Sequence, residues 1–307
     1  RGWGMKLPAK LPLLRFVQGA VTVGLLVVIW RMVDGQRVGE ILRGAQPFWL
    51  LAGLVALTAQ TVLSAIRWRV TAGQLGLRLP ALVAIQEYYL SQIINQVLPG
   101  GVLGDASRAV RSRGERGLLA ASQAVIFERL AGQIALFIVL TGAFAATYLV
   151  PGGLDWPKWA VSIALLILGA GLGFATVFLM ATIIPNPLQN RAMNLRRTMG
   201  HALVAPQVIT AQVILSLATT LCNLAAFAFC ARAVGVVLSP AEVCALVPLI
   251  LFTMLIPLTI MGWGLREGAA AALLPLAGIT ASAGFAASVV FGLAMLAATL
   301  PGLIVVW

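Results

Sequence analysis

Apolar residues collect along this chain in six long stretches, at about 13 to 33, 48 to 66, 118 to 149, 159 to 183, 206 to 231 and 281 to 306. About 20 helical residues cross the ~30 Å hydrocarbon layer of a bilayer, so each stretch predicts a membrane-spanning helix. The first also has the basic lead-in of a signal peptide, at Lys6, Lys10 and Arg15, but it is long for one, and Arg31 follows without a small-residue cleavage site. It is read as a span; whether residues 1 to 4, ahead of Met5, are native stays open. In the linker at about 184 to 205, Leu188, Ala192, Leu195 and Met199 share one helical face flanked by Arg191 and Arg196, the pattern of a short helix lying in the interface.

Two further stretches are apolar but interrupted. Residues 81 to 97, ALVAIQEYYLSQIINQV, divide on a helical wheel: Leu82, Val83, Leu90, Ile93, Ile94 and Val97 take one side, and Glu87, Tyr88, Ser91, Gln92, Asn95 and Gln96 the other. A helix with that polar side faces protein or a wet cavity rather than lipid. Pro99, Gly100 and Gly101 break it. Gly104 and Asp105, the latter placed to cap a new helix, then lead into Arg108, Arg111, Arg113 and Arg116. Arg67, Arg69 and Arg78 stand at the other end, so the stretch predicts a hairpin that dips in from one membrane face and returns to it. Residues 239 to 275 repeat the design. Ser239 and Glu242 make a capping box with Pro240 at the first helical position, an apolar run reaches Pro257, and Gly262 and Gly264 mark a break before Arg266, Glu267 and Gly268.

Pro99 and Pro257 lie 158 positions apart, about half the chain. With a cytoplasmic amino terminus, repeat 1 (about 13 to 149) reads span outward, span inward, hairpin from the cytoplasm, span outward, and repeat 2 (about 159 to 306) reads the reverse. The expected fold is an all-α polytopic membrane protein. Six transmembrane helices and two re-entrant helical hairpins form an inverted repeat, in a single transmembrane domain over residues 1 to 307. Fourteen Lys and Arg then fall on the cytoplasmic side and five outside, with Arg129 and Arg266 at depth. That bias places both termini in the cytoplasm, in a multi-pass protein of the cell inner membrane. In transporters built this way the substrate site lies at the breaks. Eight ordinary helices with two proline kinks is the alternative architecture.

Composition agrees with a membrane class: 61% of residues are hydrophobic and 10% charged, and the mean hydropathy is +0.99, which excludes a water-soluble domain. The net charge of +12 gathers at the ends of apolar runs rather than on one patch, which fits lipid headgroups and not nucleic acid. Cys222, Cys230 and Cys244 lie in apolar runs without metal-ligand spacing, and His201 is the only histidine, so no metal or cofactor is expected.

Ionisable residues at depth carry the candidate chemistry. Glu128 and Arg129 lie about ten residues into their span, about 15 Å along a helix. Both must point inward to protein or water. Adjacent helical residues diverge by about 100°, so their partners come from elsewhere. Asp105, Arg266 and Glu267 are candidates, while Arg129 and Gln133 share a face. One reading makes these groups an ion-pair lock between the repeats. The other lets the arginines also receive an anionic headgroup, which guanidinium binds through two parallel hydrogen bonds.

The segments NQVLPGGVLGDASRAVRSR, FERLAGQIAL and PLTIMGWGLREGAAAALL, in this order and spacing, resemble the signatures of the lysylphosphatidylglycerol synthase transmembrane family, a flippase-like domain found fused to aminoacyl-transferase domains and alone. The resemblance covers essentially the whole chain and implies a stand-alone lipid-translocating domain. Its motif positions fall on Pro99, Gly100, Gly101, Gly104, Asp105, Arg108, Glu128, Arg129, Gly264, Arg266, Glu267 and Gly268. Leu103 replaces a usual glycine and Trp263 stands between the glycines of the second break, which bears on loop packing and headgroup fit. Aminoacyl transfer belongs to the fused domain and is not carried over.

The expected function is therefore that of a flippase or scramblase, not an enzyme. An anionic or phosphate-bearing headgroup would cross in a polar cavity between the hairpins, at Arg129 and Arg266. Glu128, Asp105 and Glu267 would hold those arginines, with Arg108, Gln92, Asn95, Gln96 and Gln133 along the path. Membrane lipids of phospholipid or polyprenyl-phosphate type are the expected partners. A lipid-modifying enzyme partner and a homo-oligomer stay open. The competing readings are a membrane-embedded glycosyl or phosphoryl transferase acting on a lipid carrier and a non-transporting scaffold.

Overall fold

The structure is a computed structural model that describes residues 11–97, 102–150, 153–183, 189–256 and 258–304. Pro99, Gly100, Gly101, Pro257 and Leu188 lie outside them, as do residues 1 to 4. Among the described residues there are helices and no strand. In chain order they are α1 (Leu11–Met32), α2 (Gly35–Arg43), α3 (Pro47–Gln74), α4 (Ala81–Val97), α5 (Leu103–Arg111), α6 (Gly117–Leu149) and α7 (Lys158–Ile183). There follow α8 (Gln189–Leu203), α9 (Ile209–Ala233), α10 (Pro240–Phe252), α11 (Leu265–Leu273), α12 (Ala281–Thr299) and α13 (Pro301–Ile304).

Among the described residues five helices are long and apolar enough to cross a membrane: α3, α6, α7, α9 and the segment Ala281–Ile304. The first predicted span becomes α1, which turns by 96° into α2, and the bent pair is the sixth candidate. The turn is set by Asp34, whose carboxylate accepts the Arg37 amide at 3.2 Å and starts α2.

Two boundaries differ from expectation. α3 runs to Gln74 rather than stopping at residue 66, because Arg67 finds buried partners and need not leave the helix for water. α10 ends at Phe252 and continues as a single 3-10 turn, Thr253–Leu255, short of Pro257. The Ser239–Glu242 capping box is present, with Glu242 accepting the Ser239 amide at 2.7 Å and Ser239 accepting the Glu242 amide at 3.3 Å.

At the centre, α3 and α9 pack antiparallel over their full lengths. The Gln46 amide donates to Ala233 O at 2.8 Å at one end, Trp49 stacks on Phe229 with ring centres 5.7 Å apart, and at the other end Gln212 donates to Thr71 Oγ1 at 2.8 Å. Around this pair α6 packs on α3, α5, α9 and α10, and α12 packs on α9, α11, α3 and α4. The linker helix α8 buries Ala202 and Leu203 against Phe127 of α6. α7 keeps most of its large apolar side chains exposed, as a helix facing acyl chains does.

Candidate functional site

The first break brings α4 and α5 face to face. Gly104 is required there by space alone: a Cβ on it would lie 1.9 Å from the carbonyl oxygen of Ser91. The contact is sealed by the Gly104 amide, which donates to Asn95 Oδ1 at 2.7 Å. Asp105 does not cap α5 as expected. The helix begins at Leu103, which places Asp105 as its third residue. Its carboxylate is instead taken by Arg108 at 3.0 Å, Ser91 at 3.2 Å, Asn95 at 3.4 Å and an ion pair with Arg129.

Glu128 is wholly buried on α6. It accepts Arg67 Nη2 at 2.7 Å and Nε at 3.3 Å, the Tyr88 hydroxyl at 3.3 Å, and Arg108 Nη2 at 3.4 Å. Arg67 also donates to Thr219 at 2.9 Å and Ser216 at 3.3 Å, which ties the cluster to α9. Arg108 lies 4.5 Å from the Trp68 ring centre and 4.4 Å from that of Tyr88, so aromatic faces meet the part of its guanidinium that hydrogen bonds do not. Three guanidiniums, Arg67, Arg108 and Arg129, thus share two carboxylates, Asp105 and Glu128. The cluster carries one excess positive charge. Its exposed member is Arg129, whose side chain is 47% accessible against 5% for Arg67 and 1% for Arg108.

The second break is held differently. Gly264 adopts φ +89°, a left-handed conformation that favours glycine, and its amide donates to Glu267 Oε2 at 2.6 Å. Gly262 also has positive φ and abuts Met254, and Gly268 faces Ile29 of α1. Arg266 and Glu267 pair with each other although they are sequence neighbours. Ser288 of α12 joins both, accepting Arg266 Nε at 3.0 Å and donating to Glu267 Oε1 at 3.2 Å. Arg266 lies over the Trp263 and Phe291 rings, 5.0 and 5.5 Å from their centres, and is 1% exposed.

Between the two breaks lies a cavity of about 340 Å³. Of the expected site residues, Gln92, Asn95, Gln96, Asp105, Arg129 and Gln133 line it. Arg108, Glu128, Arg266 and Glu267 stand behind its wall, buried. Thr259 and Ile256 close it from the second break, and Phe291 and Met295 from α12. The Oε1 of Gln133 and the hydroxyl of Thr259 are buried without a hydrogen-bond partner. The charged lining is one cation and one anion among neutral amides and hydroxyls, a surface that can hold a compact, hydrogen-bonding, anionic group.

Arg67 was missed as a site residue, and a signal for it exists. Gln60, Ser64, Arg67 and Thr71 follow one another at four-, three- and four-residue steps on α3, and Gln212, Ser216, Thr219 and Asn223 do the same on α9. Two such polar stripes in apolar helices predict that the helices face each other. Gln60 and Asn223 reach the cavity.

The family profile described as "Lysylphosphatidylglycerol synthase TM region" matches residues 15–302. No curated protein and no solved structure gives a significant match.

Proposed function

From the premise that this chain belongs to the lysylphosphatidylglycerol synthase transmembrane family, a family of membrane-lipid function, we propose that it moves a phosphate-bearing lipid headgroup between leaflets. The headgroup crosses in the cavity between the two breaks while its tails stay among acyl chains. The observation that carries this reading is the excess positive charge of the first cluster, presented to the cavity among the described residues by Arg129 alone. A phosphate beside Arg129 completes the charge balance of three guanidiniums that otherwise share two carboxylates. The amides of Gln92, Gln96 and Gln133 offer hydrogen bonds along the way without trapping the charge.

The inverted repeat belongs to the same reading, and the packing supports it. Exchanging α3 with α9, α4 and α5 with α10 and α11, and α6 with α12 maps the contacts among these eight helices onto one another. α3 on α12 becomes α9 on α6, α4 on α12 becomes α10 on α6, and α5 on α6 becomes α11 on α12. Equivalent helices α3 and α9 run in opposite directions, as inversion requires. In this scheme the two breaks are re-entrant hairpins from opposite faces, and both termini lie on the cytoplasmic side of a cell inner membrane. Arg266, with Glu267 and Ser288, acts as the lock that shapes the second hairpin rather than as a phosphate receiver, because it is sealed behind the wall.

The test is reconstitution. In proteoliposomes carrying labelled phosphatidylglycerol, the protein should equilibrate the label between leaflets without changing its mass, and Arg129→Gln should stop the movement while the protein stays folded. Unimpaired movement by that variant overturns the assignment of Arg129. A product of altered mass points instead to a transferase.

A further inference from the structure

A second basic site lies apart from the cavity, where α3 ends and turns into α4. Arg69, Arg78 and Arg116 line a pocket of about 610 Å³ there, together with the aliphatic side chains of Leu77, Leu79 and Val208. No carboxylate lines this pocket. Among the described residues none of the three arginines forms an ion pair.

Two of the guanidiniums are positioned by backbone instead of by acidic side chains. Arg69 donates Nε to Leu79 O at 3.0 Å, which leaves its two Nη groups as donors. Arg116 lies against Gly76, where a Cβ would come within 2.8 Å of Nε and 3.1 Å of Nη2. Gly76 has φ +78°, so the turn itself calls for the residue that lets Arg116 approach. Like charges gathered without a counter-charge repel one another, and an anion among them removes that repulsion while gaining charge-assisted hydrogen bonds.

We propose that this pocket binds the phosphoryl headgroup of an anionic phospholipid that stays in place rather than being transported. The phosphoryl group meets the arginines, and the aliphatic wall favours a ligand with a hydrocarbon part over free phosphate. The position gives the bound lipid a consequence. Arg69 follows Arg67 by two residues on α3, and Arg116 immediately precedes the start of α6, the helix of Glu128. A phosphate bridging Arg69 and Arg116 ties together the ends of the two helices joined deeper in by the Arg67–Glu128 pair. The site acts as a lipid-dependent clamp on the frame of the cavity.

The full chain in neutral detergent, mixed with equal amounts of phosphatidylglycerol and phosphatidylcholine, tests this by native mass spectrometry. Phosphatidylglycerol should be retained in preference, and the triple variant Arg69→Gln, Arg78→Gln, Arg116→Gln should weaken its retention about tenfold or more. A control that removes the same charge elsewhere, Arg31→Gln with Arg37→Gln and Arg43→Gln, should retain it. The same comparison made in the Arg129→Gln background, where the cavity lacks its phosphate-facing cation, reads this site apart from the cavity and from the transport reading. If the triple variant does not fold, Arg78→Gln alone should weaken retention more than Arg37→Gln alone. The proposal is overturned by equal loss in site and control variants, by absence of preference over phosphatidylcholine, or by full displacement of the lipid by an equal concentration of inorganic phosphate.

Discussion

Arg67 and Glu128, 61 residues apart in the chain, meet at 2.7 Å with side chains 5% and 1% exposed. Their pairing joins α3 to α6, and the Thr219 and Ser216 hydroxyls bring in α9. Removing one partner of a buried pair leaves the other charge without compensation. Glu128→Gln leaves Arg67 without a carboxylate and Arg108 with Asp105 alone, and should destabilise the protein by about 3–5 kcal/mol. Arg67→Met combined with Glu128→Gln should cost less than the sum of the single changes. A double-mutant cycle by equilibrium unfolding in mixed micelles measures the difference, and strict additivity would refute the coupling.

Arg129 predicts the opposite balance. Its half-exposed side chain leaves Asp105 with Arg108, Ser91 and Asn95 when it is removed. Arg129→Gln should therefore shift stability by about 1 kcal/mol or less while abolishing lipid movement. Parallel thermal unfolding and leaflet-exchange assays check it; a large loss of stability would make Arg129 part of the frame.

Gly292 lies under the second lock. A Cβ there would come 2.2 Å from Arg266 Nη2 and 2.7 Å from the Trp263 ring, and Arg266 is held in place by Glu267 and Ser288. Gly292→Ala should destabilise by about 1–3 kcal/mol. Combining it with Arg266→Ala, which vacates the space, should recover part of the overpacking cost. Unfolding midpoints of the three variants decide this.

Gly104→Ala should separate α4 from α5, because the added carbon meets the Ser91 carbonyl, which is backbone and cannot turn away. The expected cost is again about 1–3 kcal/mol, with faster amide exchange at Gly104 and Asp105. Protection as strong as in the parent protein would show that the break absorbs the strain.

Orientation has its own check. Arg113 and Arg37 are both exposed. In the proposed topology a membrane-impermeant maleimide should label Arg113→Cys from the cytoplasmic face and Arg37→Cys from the opposite one, in vesicles of defined sidedness. Labelling of both from one face would remove the inward and outward assignment.

The spans were legible because a run of about twenty apolar residues has few other uses: the runs at 118 to 149, 159 to 183 and 206 to 231 coincide closely with α6, α7 and α9. The ends were less legible. A hydropathy reading stops α3 at Arg67, since it treats a cation as a boundary, whereas the helix carries that cation inward to Glu128. Of the two roles expected of Asp105, the helix cap is not seen and the pairing with arginine is, because a carboxylate that suits a cap equally suits two arginines arriving from α5 and α6. The polar face of α4 was readable from its spacing, and Gln92, Asn95 and Gln96 line the cavity. The sealing of Arg266 from the cavity was not readable, since it depends on Ser288 and Gly292, distant in sequence and unremarkable in type.

The antiparallel α3 and α9 helices are joined by specific contacts from Gln46 and Ala233 at one end to Thr71 and Gln212 at the other. Sliding either helix by a single residue would break these pairings together, so the two behave as an axle. In the proposed transport, alternation of access is then expected of the parts hung around it, above all the nine-residue helices α5 and α11 that follow the breaks. Nine residues make two to three helical turns, so any lever these helices form against that shaft is a short one.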